Sequence, residues 1–259
     1  MKLPSHSSLL PPRATAANLF LVGSTVGPVV DSLHNQCLLA YDIAPITFGS
    51  SLSSSTVFCS SWVVPPLFGI AYIVLGFILP RIIELVIHPQ SLSIDNQRIH
   101  KPDLERRAIL AVSSTAFIIK LSQFLQIHDV IALGDYTILL DTKICISIMV
   151  AVDILQWIVL DRTPVALVAA TITAFGGPLS ELPFIAFGFW HYIPESADYL
   201  PLSGDIFQQG GLADKVTLNI LGNDYNTLAL PHITGPCYFA VTLDAIALSR
   251  YFNQNNALK

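Results

Sequence analysis

Four ionisable residues stand inside long apolar runs: Lys120 in ILAVSSTAFIIKLSQFL, Asp153 in ICISIMVAVDILQWIVL, Glu181 in VALVAATITAFGGPLSELPFIAFGF and Asp244 in CYFAVTLDAIALS. A charge at the centre of a bilayer costs about 2.5–3.5 kcal/mol on insertion scales, so each residue needs a partner, a water-lined cavity or a task. Three chemistries fit. Lys120 with Asp153, or with another of the acids, can form interhelical bonds that orient a bundle. The four can instead form the polar ends of a ligand cavity, or Asp153, Glu181 and Asp244 can exchange protons in a membrane enzyme or carrier. His191 and Glu195 are four apart in WHYIPES, but Pro194 favours an interfacial turn flanked by the aromatic belt residues Trp190 and Tyr192. The sequence contains no HExxH, GxSxG or P-loop, so no catalytic residue is assigned. Cys37, Cys59, Cys145 and Cys237 are dispersed singly, which predicts neither a metal site nor a disulfide framework, and no cofactor is expected.

The elements that must position these residues are written in the composition. Hydrophobic residues make up 53% of the 259 positions and charged residues 12%, with mean hydropathy +0.60, against about 45–50% and about 25% in a soluble domain. Thr56 to Leu79 contains no acidic or basic side chain, and about 20 apolar residues cross a hydrocarbon layer of about 30 Å. The expected fold is all-α: a polytopic membrane protein, a six-transmembrane-helix bundle forming one domain over residues 1–259. The spans are expected at about 14–30, 57–79, 108–127, 144–160, 165–190 and 233–252.

The charges between the spans provide a check on that count. Ten of the thirteen basic residues fall on one side if six spans alternate: Arg81, Arg98, Lys101, Arg106 and Arg107 in one connector, Arg162 in another, and Lys2, Arg13, Arg250 and Lys259 at the termini. The positive-inside bias places that side, and both termini, in the cytosol. The other side carries acids, including Asp42, Asp129, Asp135, Glu195, Asp198 and Asp224, and a long connection from His191 to Pro231 with a short helix expected at Asp214 to Leu221. The net charge of -5 is dispersed, so no nucleic-acid partner is expected. The first twenty residues lack the pattern of a secretory signal; they are rich in serine and free of acids, which keeps a plastid or other organellar membrane open as an alternative location.

Proline and glycine interrupt the second span at Pro65, Pro66 and Gly69, and the fifth at Gly176, Gly177, Pro178 and Pro183. Such breaks free backbone carbonyls and are expected to kink the helices and open space between them. GSTVG, Gly23 to Gly27, matches a close-packing pattern; its expected role is to pack the first span within the chain, with self-association as the alternative. WIVLDRTP, Trp157 to Pro164, inserts an acid, a base and a hydroxyl between two apolar runs. Asp161 stands at a helix C-terminus, where the macrodipole disfavours an anion and favours Arg162.

Several of these stretches together resemble the Insig (insulin-induced gene) family of six-span endoplasmic reticulum membrane proteins. They are CSSWVVPPLFG, IKLSQF, WIVLDRTP, WHYIPESADYLPL and GPCYFAVTLDAIALSR, in family order between Val57 and Arg250. The resemblance implies a non-enzymatic adaptor that binds a sterol among its helices and, in that state, holds sterol-sensing membrane proteins. It implies partner binding at Asp161, beside Arg162, as an exposed acid of a cytosolic turn. Where the family places a glutamine for the sterol hydroxyl, this chain has Ile144 beside Lys143, so the implied ligand widens to a sterol or another amphipathic lipid. Trp62, Pro65, Pro66, Lys120, Lys143, Ile144 and Glu181 are the expected cavity residues. The implied location is the endoplasmic reticulum membrane, and a homo-oligomer is a further expectation.

Overall fold

The computed structural model describes residues 9–35, 38–49, 56–87, 101–133, 136–193, 196–200, 205–206, 219–220, 223–224 and 228–257. Six long helical segments dominate. They are α1 (Arg13–Asn35); a continuous segment made of α2 (Val64–Ile73), a π-helical stretch at Val74–Ile78 and α3 (Leu79–Ile87); α4 (Lys101–Ile127); α5 (Thr142–Leu160); α6 (Pro164–Ala186); and α7 (Thr234–Ala257). Five of them are long and apolar enough to cross a membrane. This is a multi-pass membrane helical bundle.

The last segment, α7, is as long, at 24 residues, but more polar. The reason is its position. It packs against α1, α2 and its π-helical continuation, α4, α5 and α6, and Ala240, Thr242 and Ala245 are fully buried. A helix enclosed by its neighbours has no lipid-facing surface to make apolar, whereas the outer helices expose Leu21, Ile70, Ile109, Phe117, Leu155 and Phe175.

Local chemistry sets the helix starts. Asp141 caps α5 by accepting from the Ile144 N–H at 2.8 Å. Thr163 caps α6 by accepting from the Ala166 N–H at 3.2 Å, and Pro164 occupies the first turn. The second span starts later than the hydropathy pattern places it. Thr56–Ser61 is a strand, β3, paired antiparallel with β2 (Pro45–Gly49), and Ser61 Oγ accepts from the Val63 N–H at 3.3 Å just before the helix. Pro65 and Pro66 therefore sit in the first turn of α2, where a proline starts a helix instead of kinking it. The irregularity of this span lies two to three turns further on, in the π-helical stretch around Gly76. In α6 the helix continues through Pro178 and Pro183.

Small antiparallel strand pairs cover one end of the bundle. β1 (Leu39–Tyr41), after α1, pairs with β6 (Trp190–Tyr192), after α6; β4 (Val130–Leu133) pairs with β5 (Tyr136–Leu139) between α4 and α5. Beyond β6, β7 (Tyr199–Leu200) pairs with β8 (Asp205–Ile206), and β9 (Asn219–Ile220) with β10 (Asn223–Asp224). The helix expected at Asp214 to Leu221 thus meets a strand at Asn219–Ile220, and its 214–218 portion lies outside the described residues, as do Cys37, Arg98, Asp135, Glu195, Lys2 and Lys259.

The opposite end gathers the basic connectors. Arg107 Nη1 donates to the Leu160 carbonyl at 3.1 Å, and Arg250 Nη1 meets Asp161 Oδ2 at 2.5 Å. Arg107, Arg162 and Arg250 thus share one end, as alternation of six spans requires. α1 and α2 pack closely at GSTVG: a Cβ on Gly23 would lie 2.5 Å from the Phe68 carbonyl oxygen, and one on Gly27 2.9 Å from the Phe68 ring. The motif packs the first span within the chain.

Candidate functional site

Two polar regions and one groove emerge from this packing. In the first, Glu181 of α6 is buried and accepts hydrogen bonds from the Tyr192 and Tyr238 hydroxyls, both at 2.9 Å. Tyr238 reaches it because α6 has no side chain at Gly177; a Cβ there would run into the Tyr238 ring. Burial, and then the Glu181 carboxylate beside it, push the Tyr192 hydroxyl well above its ordinary range, so it remains a donor. His34 Nδ1 lies 2.7 Å from Ser122 Oγ, whose own proton goes to the Ile119 carbonyl at 2.7 Å, so the imidazole donates. Glu181, Tyr192, Tyr238, His34, Asp31 and Cys237 line a chamber of about 80 Å³ toward the strand-covered end of the bundle. Nearby, Asp244 of α7 accepts from the Tyr72 hydroxyl at 2.7 Å.

The second polar region is the α5–α6 turn. The Asp161 side chain is only 3% exposed. Besides Arg250, it accepts from the Thr163 N–H at 2.9 Å and from the Thr163 hydroxyl. This corrects the expectation of an exposed acid. Three donors fold the carboxylate back onto the bundle, which removes the cost of an anion at a helix C-terminus. Arg162 is the outward residue: it takes the left-handed conformation at φ 64°, and its Nε donates to the Ile158 carbonyl at 2.5 Å, satisfying a helix-end acceptor.

The groove, of about 630 Å³, lies between α5, α6 and α7, which supply its apolar lining through residues such as Val150, Ile154, Phe175 and Phe239. At its strand-covered end are Tyr199 and His232, and deeper in is Asp153. Asp153 is 3% exposed, and its Oδ1 has no hydrogen-bond partner among the described residues. His232 is pinned by Asp198, which accepts from its backbone N–H at 2.9 Å and from Nδ1 at 2.6 Å.

The structure separates most residues the sequence suggested. Trp62 is 71% exposed in the turn before α2; Pro66 is exposed and Pro65 half-buried. Lys143 and Ile144 are exposed on the first turn of α5. Lys120 is exposed on α4 and bonds Gln123 of its own helix, not Asp153, because Asp153 faces the groove behind α5. None of these six lines either space; Glu181 lines the chamber. The three acids occupy three environments: Asp153 in the groove, Glu181 in the chamber, Asp244 against Tyr72. His232 was missed, since nothing in PHITGP distinguishes it from an ordinary interfacial histidine. Among the described residues no group of three His, Cys, Asp or Glu side chains could hold a metal ion, and Cys59, Cys145 and Cys237 are free thiols.

The family model described as insulin-induced protein (INSIG) matches residues 14–216. The chain belongs to the Insig family. Among solved structures it is similar to a mycobacterial Insig homolog, MvINS from Mycobacterium vanbaalenii, with TM-score 0.56 and 17% identity over 92% of this chain and 94% of that one. A cross-linked MvINS trimer gives TM-score 0.58 and 18% identity over 93% of this chain and 95% of that one. At that identity the likeness establishes the Insig fold. No curated protein sequence matches the chain.

Proposed function

We propose that this Insig-family protein is a non-enzymatic, ligand-responsive adaptor of the endoplasmic reticulum membrane, with both termini in the cytosol. A sterol or other amphipathic lipid occupies the space between its helices and sets the lateral surface offered to sterol-sensing membrane proteins. The observation that carries this reading is the groove between α5, α6 and α7, whose volume of about 630 Å³ lies within the usual range of small-molecule sites, about 300–1,000 Å³. α5 and α6 are the helices joined by the Asp161 turn, and α7 supplies Arg250, which holds Asp161. A molecule wedged among these three helices bears directly on that contact. It can act only by preferring one arrangement of the turn over the other. Self-association, seen in the cross-linked MvINS trimer, is a further part of the proposal.

The test is co-purification of the full chain from microsomes depleted of, or loaded with, candidate sterols. Lipid-dependent capture of a membrane protein bearing a sterol-sensing domain, weakened by Phe175→Trp in the groove, is the expected result. Capture that ignores both the lipid and the groove variant would overturn the proposal.

A further inference from the structure

We infer that the β2–β3 hairpin is seated in the headgroup layer of the bilayer leaflet at the strand-covered end, on a zwitterionic phospholipid surface, with Phe48, Phe58 and Trp62 as its anchors. This goes beyond the adaptor reading and rests only on the membrane bundle. From Ile43 to Pro80 the chain has no Asp, Glu, Lys, Arg or His. The membrane-crossing segment starts at Val64, so the hairpin is uncharged although it precedes the span. The β4–β5 hairpin is instead flanked by Asp129 and Asp141. A hairpin bathed in water has no reason to shed every charge. One seated against the apolar boundary does, because a charge brought there loses solvation.

β3 sets the hairpin's level. The Cys59 N–H donates to Ser32 Oγ of α1 at 2.9 Å, and Ser32 belongs to the last turn of the membrane-crossing stretch Arg13–His34. The Cys59 thiol also feels the charge of Asp31, so the face bearing Cys59 is turned to α1. Successive strand residues alternate between faces. Phe48 and Phe58, paired across the strands with ring centroids 5.8 Å apart, therefore occupy the other face, and Phe48 is 64% exposed. At the hairpin base the Trp62 N–H donates to the Ala44 carbonyl at 3.1 Å, while the Trp62 side chain is exposed two residues ahead of α2. Exposed aromatic rings at a span end belong to the boundary between bilayer and water. This face is continuous with the lipid-facing surface of α2, where Ile70 is exposed. The open edge limits the depth. Among the described residues β2 has β3 as its only strand neighbour, and an open edge cannot leave its backbone groups unsatisfied in hydrocarbon. Headgroups and interfacial water satisfy them. Without a positive charge, and with Asp42 at its base, the hairpin gains nothing from anionic lipid.

The test is tryptophan fluorescence of the full-length chain in phosphatidylcholine vesicles. Phe48→Trp is introduced together with Trp62→Phe, and subtracting the emission of Trp62→Phe alone isolates the indole at position 48. That emission should be quenched by phosphatidylcholine brominated near the carbonyls, less by lipid brominated near the chain ends, and weakly by aqueous acrylamide. Replacing part of the lipid by phosphatidylserine should leave the pattern unchanged. Phe58→Trp in the same background reads the hairpin from its other strand, so a failure of Phe48→Trp to fold does not end the test. Strong acrylamide quenching with no effect of either brominated lipid would place the hairpin in water and overturn the inference. Shielding from acrylamide and from both brominated lipids would mean that protein, such as a second copy of the chain, covers the face, and overturns it as well. Quenching by brominated lipid that appears only with phosphatidylserine overturns the zwitterionic assignment.

Discussion

Asp161 is the residue whose role the structure most sharpens, and its pairing with Arg250 can be tested energetically. The carboxylate is 3% exposed and Arg250 is 25% exposed, at 2.5 Å. Breaking a fully buried pair costs about 3–5 kcal/mol; Arg250 can partly rehydrate at the polar end of the bundle, which lowers the expectation to about 2 kcal/mol. Asp161 also accepts from the Thr163 N–H at 2.9 Å, a bond worth about 1 kcal/mol. Asp161→Ala should therefore cost about 3 kcal/mol and Arg250→Ala about 2 kcal/mol, with a coupling of about 2 kcal/mol between them. The assay is thermal unfolding in detergent followed by a thiol-reactive dye, since Cys145 is 2% exposed and Cys237 8% exposed and both become reactive on unfolding. At about 2–4 °C per kcal/mol for a chain of this size, Asp161→Ala should lower Tm by about 6–12 °C. Exchanging the charges, with Asp161→Arg and Arg250→Asp together, should recover the ion pair but not the Thr163 contacts. Strictly additive single variants, with coupling under about 0.5 kcal/mol, would refute the pairing.

Further outcomes follow from other contacts. Tyr238→Phe and Tyr192→Phe should each destabilise the bundle by about 1–2 kcal/mol in the same melt, and Glu181→Leu by more, because it strands two buried hydroxyls. Gly23→Val should cost about 1–3 kcal/mol by forcing α1 off the Phe68 backbone, checked as a loss of Tm that a distant glycine substitution at the exposed Gly176 does not reproduce. The Cys59 thiol is raised above its ordinary value by burial and then by Asp31. A raised thiol has less thiolate at a given pH, so iodoacetamide labelling of Cys59 at pH 8 should be slower than that of an exposed cysteine and should accelerate in Asp31→Asn.

Hydropathy and length are properties of the chain read in one dimension, and they determined what depends on one dimension alone. They specify a helical membrane bundle of six segments, with Arg107, Arg162 and Arg250 together at one end. They misplaced the start of the second span, since Val57 to Ser61 is apolar enough for a helix and takes a strand only because Pro45–Gly49 is there to pair with it. They carried no information on rotation about a helix axis. That rotation turns Lys120 outward and Asp153 into the groove, and it is set by packing against α7.

The polar contacts were beyond the sequence for the same reason. Tyr72 and Asp244 are 172 positions apart, Tyr238 and Glu181 57, and Asp161 and Arg250 lie on different helices. An acid in an apolar run announces a burial cost; which donor meets that cost, and which acid is left without one, is decided only when distant helices are brought side by side.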